Sequence, residues 1–229
     1  MTSAQLTLQM AVNQNCDFAS FETGSNTELV AQLRNLAAGD SPAGAWLWGD
    51  TGCGRSHLLQ AVCAEAAGCR RAAFYLPLAQ LPRDPAIAED LQAGVVALDD
   101  IECWLADAEL EAALVGIYQR QLDSGGTLLV AASKPASRLD FALADLASRL
   151  RALSSYRVLP LDEQGLYRVL TAHARRRGLE LNAATADFWL SRSRRSLPVL
   201  LSELDQLDQA ALASQRRLTI PLLKEVLRF

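Results

Sequence analysis

The chain has 229 residues, 50% of them apolar, 21% charged and 6% aromatic, with a formal charge of −4. That apolar share excludes a disordered chain, and the length allows one large domain or a main domain of about 150 residues with a smaller one of about 80. No apolar run approaches the ~18 residues of a membrane span, and MTSAQLTLQM lacks the basic start and apolar core of a signal peptide, so a cytoplasmic protein without membrane contact is expected.

The five cysteines, at 16, 53, 63, 69 and 103, form no C-x-x-C pair, and His57 and His173 are the sole histidines. Both facts argue against disulfides and a zinc centre. Charge is divided along the chain: residues 1–150 carry 9 Lys+Arg against 18 Asp+Glu, and residues 151–229 carry 13 against 8. The basic part contains Arg175-Arg176-Arg177, which suits a solvated or partner-facing helix surface and leaves weak or indirect DNA contact open.

Apolar runs at 45–49, 73–78, 95–101 and 127–133, followed by a fifth at 156–161, predict strands buried on both faces. Helical patterns at 55–67 and 107–123 supply the crossovers that parallel strands require. The expected architecture is a three-layer α/β domain with a parallel sheet. From 162 onward the pattern is helical only, at 162–177, 183–193, 198–215 and 220–227, with Leu200, Leu204, Leu207 and Ala211 marking one buried face. Thr219 is placed to cap the last helix, with Pro221 in its first turn. An α/β domain over 13–161 and a small all-α domain over 162–229 follow from this division.

Directly after the first strand stands Gly49-Asp50-Thr51-Gly52-Cys53-Gly54-Arg55-Ser56, the phosphate-loop pattern G-x-x-x-x-G-K-[ST] with Arg for Lys. Its glycines let backbone N–H groups turn toward phosphate oxygens, the helix start adds its positive end, and the Ser56 hydroxyl can ligate Mg²⁺. Arg55 is bulkier than lysine and grips phosphate as a planar fork, so the loop is expected to hold a diphosphate more productively than a triphosphate. The third strand ends in Asp99-Asp100, with Asp99 suited to Mg²⁺ and Asp100 to orienting a water or acting as a base.

With these residues in place the chain resembles the AAA+ superfamily, and within it the DnaA family of replication initiators with its Hda group of regulatory inactivators. The resemblance runs through Phe18-Ala19-Ser20-Phe21-Glu22-Thr23-Gly24-Ser25-Asn26, Gly54 to Leu59, Asp99 to Glu102, Asp145-Leu146-Ala147-Ser148-Arg149-Leu150, Leu204 to Asp208 and Leu218 to Pro221. It implies an AAA+ nucleotide-binding domain followed by a helical lid. Phe21, Gly24 and Asn26 would line the base side of ADP or ATP, and Gly49, Gly52, Cys53, Gly54, Arg55, Ser56 and His57 would surround its phosphates. Mg²⁺ would sit with Ser56 and Asp99. Ser133 falls at the polar sensor position, and Arg149 at that of the arginine finger, which acts on a neighbouring subunit's nucleotide.

The lid arginine of the family would fall near 197–199, where this chain has Pro198; Arg194 or Arg195 could replace it only if the helix began differently. At the N-terminus, within residues 1–12, Gln5, Leu6, Leu8 and Met10 are similar to the peptide by which replication proteins dock on the DNA polymerase sliding clamp. The resemblance thus implies an ADP-bound negative regulator that docks on the clamp and triggers ATP hydrolysis by DnaA. An autonomous AAA+ ATPase acting on DNA as an initiator-like or helicase-loader-like motor is the alternative, and a nucleotide-stabilised scaffold a third. The sequence ends at Phe229, where DnaA continues into its DNA-reading domain, so action on the initiator rather than on the origin is expected. Assembly with copies of itself is left open.

Overall fold

The computed structural model describes residues 16–39, 44–89, 91, 93–214 and 217–229. Five strands, β1 (Ala45–Trp48), β2 (Ala73–Pro77), β3 (Val95–Asp99), β4 (Thr127–Ala132) and β5 (Ser154–Arg157), pair in parallel in the order β2-β3-β4-β1-β5. Every residue of β3 and β4 is buried, because helices cover both faces of the sheet and no solvated side exists to demand polar alternation. The α/β fold expected from the buried runs is the one observed.

Helices α1 (Thr27–Ala38) and α2 (Arg55–Gly68) cover one face, and α3 (Ala108–Ser124) and α4 (Ala144–Arg151) the other. The pleat sorts the strand residues between them: Ala45, Leu47, Val95, Ala97, Leu129 and Ala131 join the first core, while Trp46, Val96, Leu98, Leu128, Val130 and Ala132 join the second.

Two helices lie outside the predicted ones. Helix α1 buries Leu29, Val30, Leu33, Leu36 and Ala37 and stops at Gly39, whose left-handed backbone returns its N–H to Asn35 and Leu36. Helix α4 is a short segment, and Leu146, Ala147 and Leu150 are its buried face. The fifth strand also differs: it occupies Ser154–Arg157 instead of the apolar run at 156–161. It is an edge strand paired with β1 alone, its serines exposed, and Pro160 beyond it has no N–H to continue a ladder.

Contacts divide the chain into two compact units, one of Asn26–Leu159 with the segment up to Phe21, and one of Glu22–Ser25 with Pro160–Phe229. The second is all-helical: α5 (Glu163–Arg176), α6 (Ala183–Arg192), α7 (Leu197–Ser214) and α8 (Ile220–Leu227). Side chains cap the first two, Asp162 accepting from Gly165 N and Asn182 from Thr185 N. Thr219 stands at the start of α8 without a side-chain capping bond, and Pro221 occupies its first turn. Leu166, Leu170, Trp189, Leu200, Leu204, Leu207, Leu222 and Leu223 form the unit's core.

Candidate phosphate-binding site and arginine finger

Parallel strands deliver the residues that follow them to a common edge of the sheet, the place where α/β folds bind ligands. Here β1 runs into Gly49, β3 into Asp100 and β4 into Ser133. Gly49 is walled in: a Cβ would lie 2.6 Å from the Val158 carbonyl oxygen and 2.9 Å from Cys53 Sγ. Gly52 and Gly54 take φ of +83° and +104°, and a Cβ on Gly54 would stand 2.7 Å from Cε2 of Phe21. Backbone conformation favours glycine at both positions, and at Gly54 the lack of space demands it as well. The Cys53 N–H closes the turn on Asp50 O at 3.1 Å, and the Leu58 N–H reaches Gly54 O at 2.9 Å, so α2 starts from the last glycine with its first amides facing the loop. Cys53 is buried beneath the loop, and that burial pushes its thiol up.

Arg55 leaves only 10% of its side chain exposed, and its Nη2 lies 3.7 Å from Asp100 Oδ1. Its Nη1 is buried with no hydrogen-bond partner. An orphaned guanidinium donor costs free energy wherever no acceptor meets it. Beside a turn whose glycines keep Cβ atoms away, such a donor fits phosphate oxygens, and the residues present therefore suit a nucleotide with its Mg²⁺.

Asp99 is 2% exposed. Its Oδ2 accepts the Tyr75 hydroxyl at 2.8 Å and its Oδ1 the Asp100 N–H at 3.1 Å. Burial and the Asp99 charge push the Tyr75 phenol up, keeping it a donor. Asp100 adopts a left-handed backbone, φ 51°. Burial lifts its carboxyl above the usual range, Asp99 and Glu102 add to this, and Arg55 opposes it. Glu102 ties the sensor position to the same edge, accepting the Ser133 N–H at 2.6 Å, while the Ser133 side chain is exposed.

The other predicted residues are placed differently. His57 turns back to the preceding segment, its Nε2 2.9 Å from Asp17 O and its ring 5.3 Å from that of Phe21. Asn26 is 3% exposed and clamps Leu159 with both amide atoms, donating to Leu159 O at 2.9 Å and accepting Leu159 N–H at 2.8 Å. Gly24 belongs to the helical unit, where Glu22 pairs with Arg168 at 3.0 Å. Ser56 is exposed at the first turn of α2. Gln5, Leu6, Leu8 and Met10 lie outside the described residues.

Arg149, in the last turn of α4, is held on three sides. Its Nε meets Asp145 Oδ1 at 2.9 Å, its Nη1 donates to Gln119 Oε1 at 3.1 Å, and its guanidinium lies 5.4 Å from the centre of the Tyr118 ring. The side chain is still 30% exposed. At the other end of α4 stands a residue the sequence did not announce: Glu111, fully buried on α3, accepts N–H groups of Ala106, Ala142 and Leu143 at 2.8, 2.8 and 2.7 Å. Its signal was a carboxylate set among Leu110, Leu114 and Ile117 on the buried side of α3.

In the helical unit Arg195 pairs with Glu163 at 2.7 Å, and α7 begins at Leu197 with Pro198 in its first turn. Within the arginine cluster, Arg177 pairs with Asp205 and Asp208 on α7, and Arg175 and Arg176 are the exposed members. Among the described residues no helix is long and apolar enough to cross a membrane.

Residues 162–227 match the family model described as the Hda lid domain. The fold of the chain is similar to domain III of the Thermotoga maritima replication initiation protein DnaA, with a TM-score of 0.82 at 15% identity over 94% of this chain and 97% of that one. AMPPCP-bound DnaA from Aquifex aeolicus is similar at a TM-score of 0.68 and 16% identity, over 85% of this chain and 65% of that one. The Thermotoga maritima RuvB Holliday junction branch migration motor shares the fold at 0.65 and 19%, over 88% and 68%.

Proposed function

We propose that this chain, an Hda-like protein of the DnaA-related AAA+ group with a part in replication control, is an ADP-bound negative regulator that stimulates ATP hydrolysis by the initiator DnaA. The observation that carries this reading is the posture of Arg149, held by Asp145, Gln119 and Tyr118 yet part-exposed. A guanidinium held in this way meets charge developing on a partner's γ-phosphate with little further loss of side-chain freedom, and such a finger supplied in trans is worth about 10³ to 10⁵ in rate.

The chain's own site is arranged for holding more than for hydrolysing. When bound, a magnesium nucleotide supplies the anionic charge that the loop amides and Arg55 are placed to meet. Arg55 would grip the diphosphate and Ser56 and Asp99 would hold the metal end, while Asp100 is engaged with Arg55. Arg195, which could stand in for the lid arginine only if α7 began earlier, is engaged with Glu163 inside the helical unit. Gln5, Leu6, Leu8 and Met10 would supply the peptide that docks on the sliding clamp, Gln5 suiting a polar pocket and the apolar residues a groove.

The test is a reconstitution with DnaA carrying labelled ATP, clamp-loaded DNA and this protein. Stimulated hydrolysis that is lost with Arg149→Ala and with Gln5→Ala supports the reading. Hydrolysis by this chain alone favours the autonomous motor, and binding without stimulation favours a scaffold.

A further inference from the structure

We infer that His57 is a positioning residue for the base end of this site: it fastens residues 17–21 so that the Phe21 ring stands beside the phosphate loop, and through that ring it sets how strongly a nucleotide is preferred over bare phosphates. The inference rests on the nucleotide reading of the loop and deepens it by naming what fixes the base side.

His57 is the third residue of α2, two positions beyond Arg55. Its Nε2 lies 2.9 Å from the Asp17 carbonyl oxygen and 3.5 Å from the Ser20 hydroxyl. A carbonyl only accepts, so Nε2 carries the proton and donates it to Asp17. The segment that receives this bond is closed on itself, with Asp17 Oδ1 accepting the Ser20 N–H at 2.7 Å and the Ser20 hydroxyl at 2.6 Å. Phe18 anchors the same turn in the core, 5% exposed, with the Arg34 guanidinium 4.8 Å from its ring centre. The turn is thus held at one point by Phe18 and at another by His57.

Phe21 ends this segment and is left half-buried. Its ring packs tilted against the imidazole, with 5.3 Å between centres and 59° between planes. The ring edge lies on the last loop glycine, where Cε2, Cζ and Cδ2 would stand 2.7, 3.4 and 3.8 Å from a Cβ on Gly54. An aromatic ring beside a phosphate cradle offers a surface on which a base, with its own π-face, can stack. The loop amides and Arg55 meet phosphate whatever it carries, whereas Phe21 meets only what is attached to it. Preference for a nucleotide over free diphosphate therefore depends on where that ring is held, and the His57 bond to Asp17 holds it.

The test is calorimetric titration of the full chain with ADP and with pyrophosphate, both in Mg²⁺, for wild type, His57→Ala, His57→Gln, His57→Asn and Phe21→Ala. Expected for His57→Ala and for Phe21→Ala is a fall of about fivefold or more in the ADP-over-pyrophosphate affinity ratio, the loss of a base–aromatic contact. The glutamine amide nitrogen reaches the position of Nε2 and can donate to Asp17, so His57→Gln retains most of the ratio; the asparagine amide matches Nδ1 instead, and His57→Asn loses it. A merely structural histidine would lower stability, or both affinities together, and leave the ratio alone. An unchanged ratio in His57→Ala overturns the inference and, should that variant fail to fold, so do equal ratios in His57→Gln and His57→Asn. Absence of binding of both ligands by wild type overturns the nucleotide reading itself, a separate result.

Discussion

The Glu111 carboxylate accepts the backbone N–H of Leu143 at 2.7 Å, so α4 receives at its N-terminus a cap from the neighbouring helix that its own leucine cannot provide. The same carboxylate also receives Ala106 and Ala142, joining both segments to α3. Arg149 sits at the other end of α4, and its place is inherited from this anchor.

Glu111→Ala therefore leaves three N–H groups without their acceptor. A loss of about 3 kcal/mol in folding stability is expected, from about 1 to 3 kcal/mol for each orphaned buried group with partial relief by water. Urea unfolding measures it. A loss under about 1 kcal/mol would mean that Glu111 anchors nothing.

Asn26 separates a structural from a nucleotide-contacting role. Both of its amide atoms are engaged with Leu159, so Asn26→Ala is expected to cost about 2 kcal/mol of stability through two unpaired backbone groups. Unfolding midpoints and ADP affinity read the two roles separately. A variant of wild-type stability with weakened ADP binding would contradict the assignment.

At Gly54 a methyl group meets the Phe21 ring at 2.7 Å, and φ of +104° is strained for any L side chain. Gly54→Ala should displace Phe21 or the loop, costing about 1 to 3 kcal/mol and most of the nucleotide affinity. Calorimetric titration with ADP checks the second effect, and wild-type binding would contradict it.

For Asp100 the sign of the pH dependence follows from its raised carboxyl. Ionisation is disfavoured in the fold, so this group costs nothing below the ordinary carboxylate range and destabilises progressively as pH rises through its folded value. Asp100→Asn removes the ionisation, and its stability relative to wild type should rise from acidic to neutral pH. Unfolding curves across that range test it; an advantage that is flat or shrinks with pH would contradict the placement.

How much of this was readable from the chain depended on the distance between partners. The glycine loop declares itself because backbone conformation forces glycine at Gly52 and Gly54, and the buried strands because β3 and β4 have no solvated face. The edge strand β5 escaped that logic: with one neighbour and exposed serines it carries little apolar signal. Glu111 and Tyr75 were invisible for another reason. Their partners lie 31 and 24 residues away in sequence, so the acid reads as a misplaced charge and the phenol as one more strand aromatic until the fold brings them together. Likewise Asn26, expected at the nucleotide, is engaged 133 residues downstream by Leu159, in the segment after β5 that local sequence does not mention.

The central claim is that Arg149 acts on a nucleotide held by DnaA. Single-turnover hydrolysis of DnaA-bound ATP, with clamp-loaded DNA and saturating wild type or Arg149→Ala, tests it most directly. A rate falling by about 10³-fold or more while the variant still binds ADP and the clamp is the predicted result. Wild-type stimulation by Arg149→Ala would contradict it.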